Sequence, residues 1–218
     1  MIKAIVFDFD GVLADSEPLH LRAYQQVLSP LGVTLSRDEY YGRYLGYDDE
    51  GVFTKLAAVH GVELDARRLQ SLIADKGRVF DAMIESGEVL YPGASDCVAR
   101  MAAAYPLGIA SGALRHEIEA ILRSGRLSPH FRFIVASGDT PEGKPAPDPY
   151  IRAAALHGRA PHECIAIEDS HWGIESARTA GLRCIAITHT YPRDQLSMAD
   201  AVVDSLAELT PASVAALR

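Results

Sequence analysis

The chain has 218 residues, 48% of them hydrophobic, which is enough for one large domain, or one domain with a smaller insert, around a sizeable core. Its 21 basic against 29 acidic side chains leave a net charge of -8, which argues against a nucleic-acid surface or an anionic-membrane surface. No apolar run approaches the roughly 20 residues that span a bilayer, and the amino terminus reaches Asp8 too early for a signal peptide, so the expected location is the cytoplasm. Cys97, Cys164 and Cys184 are too few and too scattered for a disulfide framework or a zinc site, and Cys164 and Cys184 read as buried, inert thiols.

In chain order, the first element is an apolar strand over Ala4 to Phe7. From Ser16 to about Glu88 the pattern is helical throughout, with no convincing strand. Ser16 is placed to cap a helix starting at Glu17-Pro18 and ending by Gly32, and further helices are expected over Gly51 to His60 and Ala66 to Ser86. The remainder alternates strands and helices. A helix over Ser95 to Ala104 precedes strands at Leu107 to Ala110 and Phe133 to Ala136. A helix over Pro149 to Leu156 follows, with Asp148 as its cap and Gly158 as its stop. Strands at Ile165 to Ile167, Cys184 to Ile187 and Ala201 to Val203 complete the series. Short Ile- and Val-rich strands alternating with helices imply a doubly wound parallel sheet of the α/β class. The helical stretch then becomes an inserted bundle, with residues 1–15 and 90–218 forming the core domain and residues 16–89 the insert. Hinges are expected near Ala14 to Ser16 and Leu90 to Pro92.

Ligands of parallel sheets bind beyond the carboxyl ends of the strands. There this chain places Asp8-Phe9-Asp10-Gly11, Ser111-Gly112, Gly143-Lys144-Pro145 and Glu168-Asp169-Ser170. Asp8 and Asp10, two residues apart in extended chain, point to one side. Two carboxylates about 4 Å apart repel by roughly 4 kcal/mol at an effective dielectric of about 20. Bringing Glu168 and Asp169 to the same edge therefore calls for a cation, and hard oxygen donors suit Mg²⁺. Ser111 and Gly112 offer a hydroxyl and open backbone N–H groups for a phosphate oxygen. Prolines on either side of Lys144 restrict the loop that aims it. Together these groups suit phosphoryl transfer: Asp8 attacks phosphorus, and Asp10 protonates the leaving alkoxide and then deprotonates water.

These motifs resemble those of the haloacid dehalogenase superfamily, as Asp8-Phe9-Asp10-Gly11-Val12-Leu13, Ser111-Gly112, Gly143-Lys144-Pro145 and Ile167-Glu168-Asp169-Ser170. The likeness runs nearly the full length, and the insert resembles the helical cap of the beta-phosphoglucomutase and phosphoglycolate phosphatase branch. It implies a Rossmann-like core with Asp8 as nucleophile, Asp10 as general acid and base, and Ser111, Gly112 and Lys144 on the phosphoryl group. The implied Mg²⁺ ligands are Asp8, the backbone carbonyl of Asp10, and Asp169, with Glu168 a ligand or just outside the coordination sphere. The dehalogenases that name the superfamily lack the second acid, so carbon–halogen cleavage is disfavoured.

The resemblance also implies that the cap selects the substrate, a small phosphorylated metabolite. Candidate contacts are His20, Arg43, Lys76 and Arg115. Sugar mutases of this branch carry a cap-loop arginine where this chain reads Leu45-Gly46-Tyr47-Asp48-Asp49. That departure favours a phosphatase, acting on sugar phosphates or phosphoglycolate, over a phosphomutase. Other classes fit less well. A response-regulator receiver is normally about half this length, a dinucleotide-binding domain would need a glycine-rich fingerprint after the first strand, and an inactive regulatory relative would not need every catalytic residue in place. A monomer or weak homodimer is expected.

Overall fold

Ile-, Val- and Ala-rich segments line up as a parallel six-stranded sheet in the order β3-β2-β1-β4-β5-β6. The strands are β1 (Ala4–Phe7), β2 (Leu107–Ala110), β3 (Phe131–Val135), β4 (Cys164–Glu168), β5 (Arg183–Ile187) and β6 (Ala201–Val203). The structure, a computed structural model, describes residues 1–45, 47–86 and 89–217, with the backbone alone at 85 and 86. Gly46 of the cap loop and the end of the helical stretch at 87–88 thus lie outside the described residues.

The helices are α1 (Glu17–Leu28), α2 (Arg37–Arg43), α3 (Asp49–His60), α4 (Ala66–Ser86), α5 (Ala94–Ala102), α6 (Arg115–Ser124), α7 (Asp148–Leu156), α8 (His171–Thr179) and α9 (Pro211–Ala216). The chain divides into two compact units, Met1–Asp15 with Glu88–Arg218, and Ser16–Gly87.

In the first unit both faces of the sheet are covered. Ala4, Val6, Ala110, Ala166 and Cys184 pack against Tyr150, Ala153 and Ala154 of α7 and Ile174 and Ala177 of α8. The alternating residues Ile5, Phe7, Ile109, Ile165 and Ile185 point the other way and are equally buried. That is the pattern of a doubly wound sheet. The order reverses at β1, whose neighbours β2 and β4 lie on opposite sides. Chain leaving β1 therefore emerges at the switch point, where a crevice forms.

Several boundaries shift by a residue or two from expectation, and two of the shifts have clear physical reasons. Strand β3 begins two residues before Phe133, because Leu107 pairs with Phe131 whereas Ile109 pairs with Ile134. One extra residue in β3 breaks the alternation, and the Phe133 ring covers Gly108, where a Cβ would lie 2.3 Å from Cζ. Asp148 lies inside α7, after Pro147 as the cap, so its carboxylate sits in the first turn. All three cysteines are free and buried, and burial pushes the thiols of Cys97 and Cys164 up to about 11. At the unit boundary Asp15 N–H donates to Val89 O (2.8 Å) and Tyr91 N–H to Leu13 O (2.9 Å), so the two crossing strands of chain are paired.

The second unit has its own core. Leu21, Tyr24 and Leu28 recur on one face of α1 and pack with Tyr40, Phe53 and Leu56. Helix α2 is not among the elements expected from periodicity. Its signal is Ser36, whose hydroxyl accepts from Glu39 N–H at 3.1 Å, with Asp38 and Glu39 in the first turn. No helix among the described residues is long and apolar enough to cross a membrane.

His20 stacks on Phe80 with ring centroids 4.1 Å apart. Burial, and then the charge of Lys76, hold its imidazole pKa down at about 3. The fold therefore favours neutral His20, a contribution present above the ordinary histidine pKa of about 6.5 and lost as pH falls from there towards 3. Lowering pH from 7 to 5 is expected to reduce the thermal unfolding midpoint more in the wild type than in His20→Phe. Equal shifts in the two proteins would contradict this account.

Candidate active site

Asp8 is the first residue beyond β1, and its N–H donates to Ile167 O at 2.8 Å, so the ladder with β4 fixes its backbone. Two residues on, Asp10 bridges to Ala14, and Gly11 N–H donates to Ala14 O at 2.9 Å. Gly11 has φ +75°, and a Cβ there would lie 1.9 Å from Asp169 Oδ2. Only glycine allows both that backbone and that approach. Ser111 follows β2, and its N–H donates to Val135 O at 2.9 Å. Its hydroxyl accepts from Ala113 N–H at 3.1 Å in a turn that also contains Gly112 and that comes before α6, which begins at Arg115. Lys144 arrives from the loop after β3, and its peptide bond to Pro145 is cis.

Lys144 Nζ lies 2.9 Å from Asp8 Oδ1 and 2.6 Å from Glu168 Oε1. Glu168 is fully buried at the end of β4. Its Oε1 accepts from Lys144 and from Tyr150 OH (2.8 Å), and its Oε2 from Asp169 N–H (3.1 Å), Ser170 N–H (3.3 Å) and Ser170 OH (3.2 Å). Ser170 Oγ in turn caps α8 by accepting from Gly173 N–H at 3.1 Å. Gly173 leaves room for the carboxylate, since a Cβ there would lie 1.8 Å from Glu168 Oε1.

Asp8, Glu168 and Asp169, all buried, each offer a carboxylate oxygen, and these atoms lie within 4.8 Å of one another. Burial, opposed by Lys144 and reinforced by Glu168, raises the Asp8 pKa to about 7. Burial, then Glu168 and Asp8, raise Asp169 well above the usual carboxylate range, while a hydrogen bond from Thr190 lowers it. Burial alone would depress Lys144, but Asp8 and Glu168 outweigh it and raise its pKa. One ammonium thus balances three carboxylates, and the site favours added positive charge. This all-oxygen donor set fits a hard divalent cation. Because five donors already engage Glu168, Asp8 and Asp169 are the carboxylates better placed to serve as ligands.

The motif residues Asp8, Lys144, Glu168 and Asp169 thus come together, with Asp10 and Ser111 on the chain beyond β1 and β2. The other candidates are placed differently. Arg115 Nη2 donates to Ile134 O (2.9 Å) and pairs with Asp139 (2.6 Å). Lys76 is buried in the helical unit, 2.9 Å from Asp49 and over the rings of Tyr24 and Phe80. Arg43 is exposed in the last turn of α2. His20 is held against Phe80 in the same unit. Two residues absent from the motif reading join the site: Tyr150, on Glu168, and Thr190, on Asp169. Thr190 follows β5, so inspection of the fifth strand end would have found it. Nothing in the local sequence signals the direction of the Tyr150 phenol.

The family model of haloacid dehalogenase-like hydrolases matches residues 2–181. Protein CbbY of Cereibacter sphaeroides is 35% identical over 227 residues, covering 96% of this chain and 94% of that protein. Hexitol phosphatase B of Escherichia coli (strain K12) is 32% identical over 214 residues, covering 96% and 95%. A crystal structure of a CbbY mutant from Rhodobacter sphaeroides in complex with xylulose-(1,5)bisphosphate is similar with a TM-score of 0.83 at 32% identity, covering 96% of each chain. The chain belongs to the haloacid dehalogenase-like hydrolase family, and it is an enzyme.

Gly173→Ala is expected to destabilise the protein by about 1–3 kcal/mol, because its methyl group displaces a buried, fully hydrogen-bonded carboxylate. Gly42→Ala in α2, with nothing within 4 Å of its Cβ, is the control and is expected to be neutral or to gain up to about 1 kcal/mol. Denaturant unfolding of the three proteins measures both effects.

Proposed function

We propose that the protein is a Mg²⁺-dependent phosphatase that hydrolyses small phosphomonoesters through a phosphorylated Asp8. The observation that carries this reading is the position of Lys144 Nζ, 2.9 Å from Asp8 Oδ1 among three buried carboxylates. A nucleophilic carboxylate beside a fixed cation suits attack on a phosphoryl group, where stabilising charge matters most.

In this mechanism an Asp8 carboxylate oxygen bonds to phosphorus as the ester P–O bond breaks. Protonated Asp10 gives its proton to the leaving alkoxide, so a neutral alcohol departs. Asp10, now ionised, takes a proton from water as the water oxygen bonds to phosphorus. The bond from phosphorus to Asp8 then breaks, releasing phosphate and regenerating both acids. Lys144, Ser111 and the Gly112 N–H hold the phosphoryl oxygens throughout. Asp8, Asp169 and the Asp10 carbonyl would hold Mg²⁺, which supplies positive charge against the phosphoryl oxygens when bound.

The helical unit Ser16–Gly87 is assigned the selection of the organic part of the substrate. A phosphorylated sugar or phosphoglycolate is the favoured class, consistent with the sugar bisphosphate in the CbbY complex and with the hexitol phosphatase relative. Location in the cytoplasm and action as a monomer or weak homodimer go with this reading. A phosphomutase needs a cationic group free for a second phosphate. Within its own unit Lys76 is instead matched to Asp49, and Asp48 is occupied as the cap of α3, accepting from Gly51 N–H at 2.8 Å. The pairing of Lys76 favours discharge to water.

Free phosphate release from an aryl phosphate is expected to stop on chelation and to return with Mg²⁺. Asp8→Asn is expected to lose at least about 1,000-fold in kcat, since an amide cannot take over nucleophilic attack. Retention of near-wild-type turnover by Asp8→Asn would remove the covalent mechanism.

Phosphate release is also expected to exceed isomerisation when beta-glucose 1-phosphate is supplied with a trace of glucose 1,6-bisphosphate. Faster formation of glucose 6-phosphate would make the chain a mutase. A screen of hexose phosphates, polyol phosphates, phosphoglycolate and xylulose 1,5-bisphosphate then ranks the substrates.

A further inference from the structure

We propose that Tyr150 is a positioning residue of this site, acting through Glu168 to set where Lys144 holds Asp8; the proposal rests on the phosphatase reading above. Tyr150 lies on α7, which packs on the sheet, and both it and Glu168 have no exposed surface. A phenylalanine would satisfy that apolar pocket, but the phenol reaches across the sheet end and donates to Glu168 Oε1 at 2.8 Å. The same oxygen accepts from Lys144 at 2.6 Å, and Lys144 reaches Asp8 at 2.9 Å. The Lys144 ammonium also lies 5.0 Å from the Tyr150 ring centroid, so one side chain meets both members of the pair.

The geometry makes Lys144 a shared cation. Two carboxylates compete for it, and Glu168 holds it at the shorter distance. Three donors from Asp169 and Ser170 saturate Glu168 Oε2, so its position is fixed by the start of α8. Only Oε1 faces the lysine, and the phenol is the other donor to it. By donating, Tyr150 draws off part of the negative charge that would otherwise pull Lys144 away from Asp8. Without the hydroxyl, Glu168 takes a larger share of the ammonium, leaving Asp8 and the incoming phosphoryl group a smaller one. Tyr150 and Glu168 have no exposed surface and the Lys144 side chain keeps only 12%, so solvent screens that balance weakly and it is sensitive to one hydrogen bond.

Tyr150→Phe tests the idea, since it keeps the ring and removes one oxygen. For hydrolysis of an aryl phosphate at saturating Mg²⁺, kcat is expected to fall about ten-fold with little change in KM. A crystal structure of the variant is expected to show Lys144 Nζ farther from Asp8 Oδ1 than 2.9 Å. In a Glu168→Gln background, with no carboxylate charge left to share, adding Tyr150→Phe is expected to change kcat no further. That pair of proteins also serves if Tyr150→Phe alone does not fold.

Wild-type kcat in Tyr150→Phe, a fall in kcat with Lys144 unmoved, or the same fold-loss in the Glu168→Gln background would each overturn the proposal. If the wild type releases no phosphate from any ester, the phosphatase reading fails. The position of Lys144 in the variant then decides the inference alone, and an unmoved lysine overturns it.

Discussion

Lys144 sits between two buried carboxylates, and much of the structure around it can be read as the means of keeping it there. An ammonium and several carboxylates taken out of water carry a desolvation cost that their mutual attraction offsets only when geometry and hydrogen bonding are good. Glu168 meets that condition with five donors drawn from the cis-proline loop, from α7 and from the start of α8. Gly173 and Gly11 meet it by having no side chain, since a Cβ at either would collide with Glu168 or Asp169. The raised pKa values of Asp8 and Asp169 are what remains unbalanced, and they point to a further cation.

The parallel sheet makes this concentration of charge affordable to a small domain. Its strands end in register, and the order reverses at β1, so chain leaving β1, β2, β3 and β4 converges on one edge. Both faces of the sheet beneath are apolar and closed, which anchors the charged edge on a rigid base. The helical unit has a separate core of leucines, tyrosines and phenylalanines, and it keeps its own buried charges paired, as Lys76 with Asp49 shows.

Much of this was legible in the chain. Four-residue apolar runs such as Ala4 to Phe7 and Leu107 to Ala110 have the bounds the structure shows, because a strand buried on both faces tolerates only apolar residues and ends where a polar one begins. Edge strand β3 was less legible. It is half-exposed, carries Arg132 and contains an irregularity in register, so its composition does not mark its start. Helix α2 was missed for a related reason: its seven residues bury only Tyr40, so its signal is the Ser36 cap and not a hydrophobic stripe.

At the site, the sequence by itself determined the chemical inventory. Acids at 8, 10, 168 and 169 and a hydroxyl at 111 follow recognisable strands closely, and parallel topology sends such positions to one edge, while the lysine at 144 stands in the proline-rich loop that leaves the third strand. Which of these groups touch, and what they share, was decided by tertiary structure. Glu168 and Asp169 are adjacent in the chain and chemically alike, yet one is saturated by five donors while the other keeps its carboxylate beside Asp8. Tyr150 reads as one more apolar residue of α7 until the packing of α7 on the sheet aims its hydroxyl at Glu168. Hydrogen-bond partnership depends on ångström distances between segments far apart in the chain, and residue type and spacing carry no record of them.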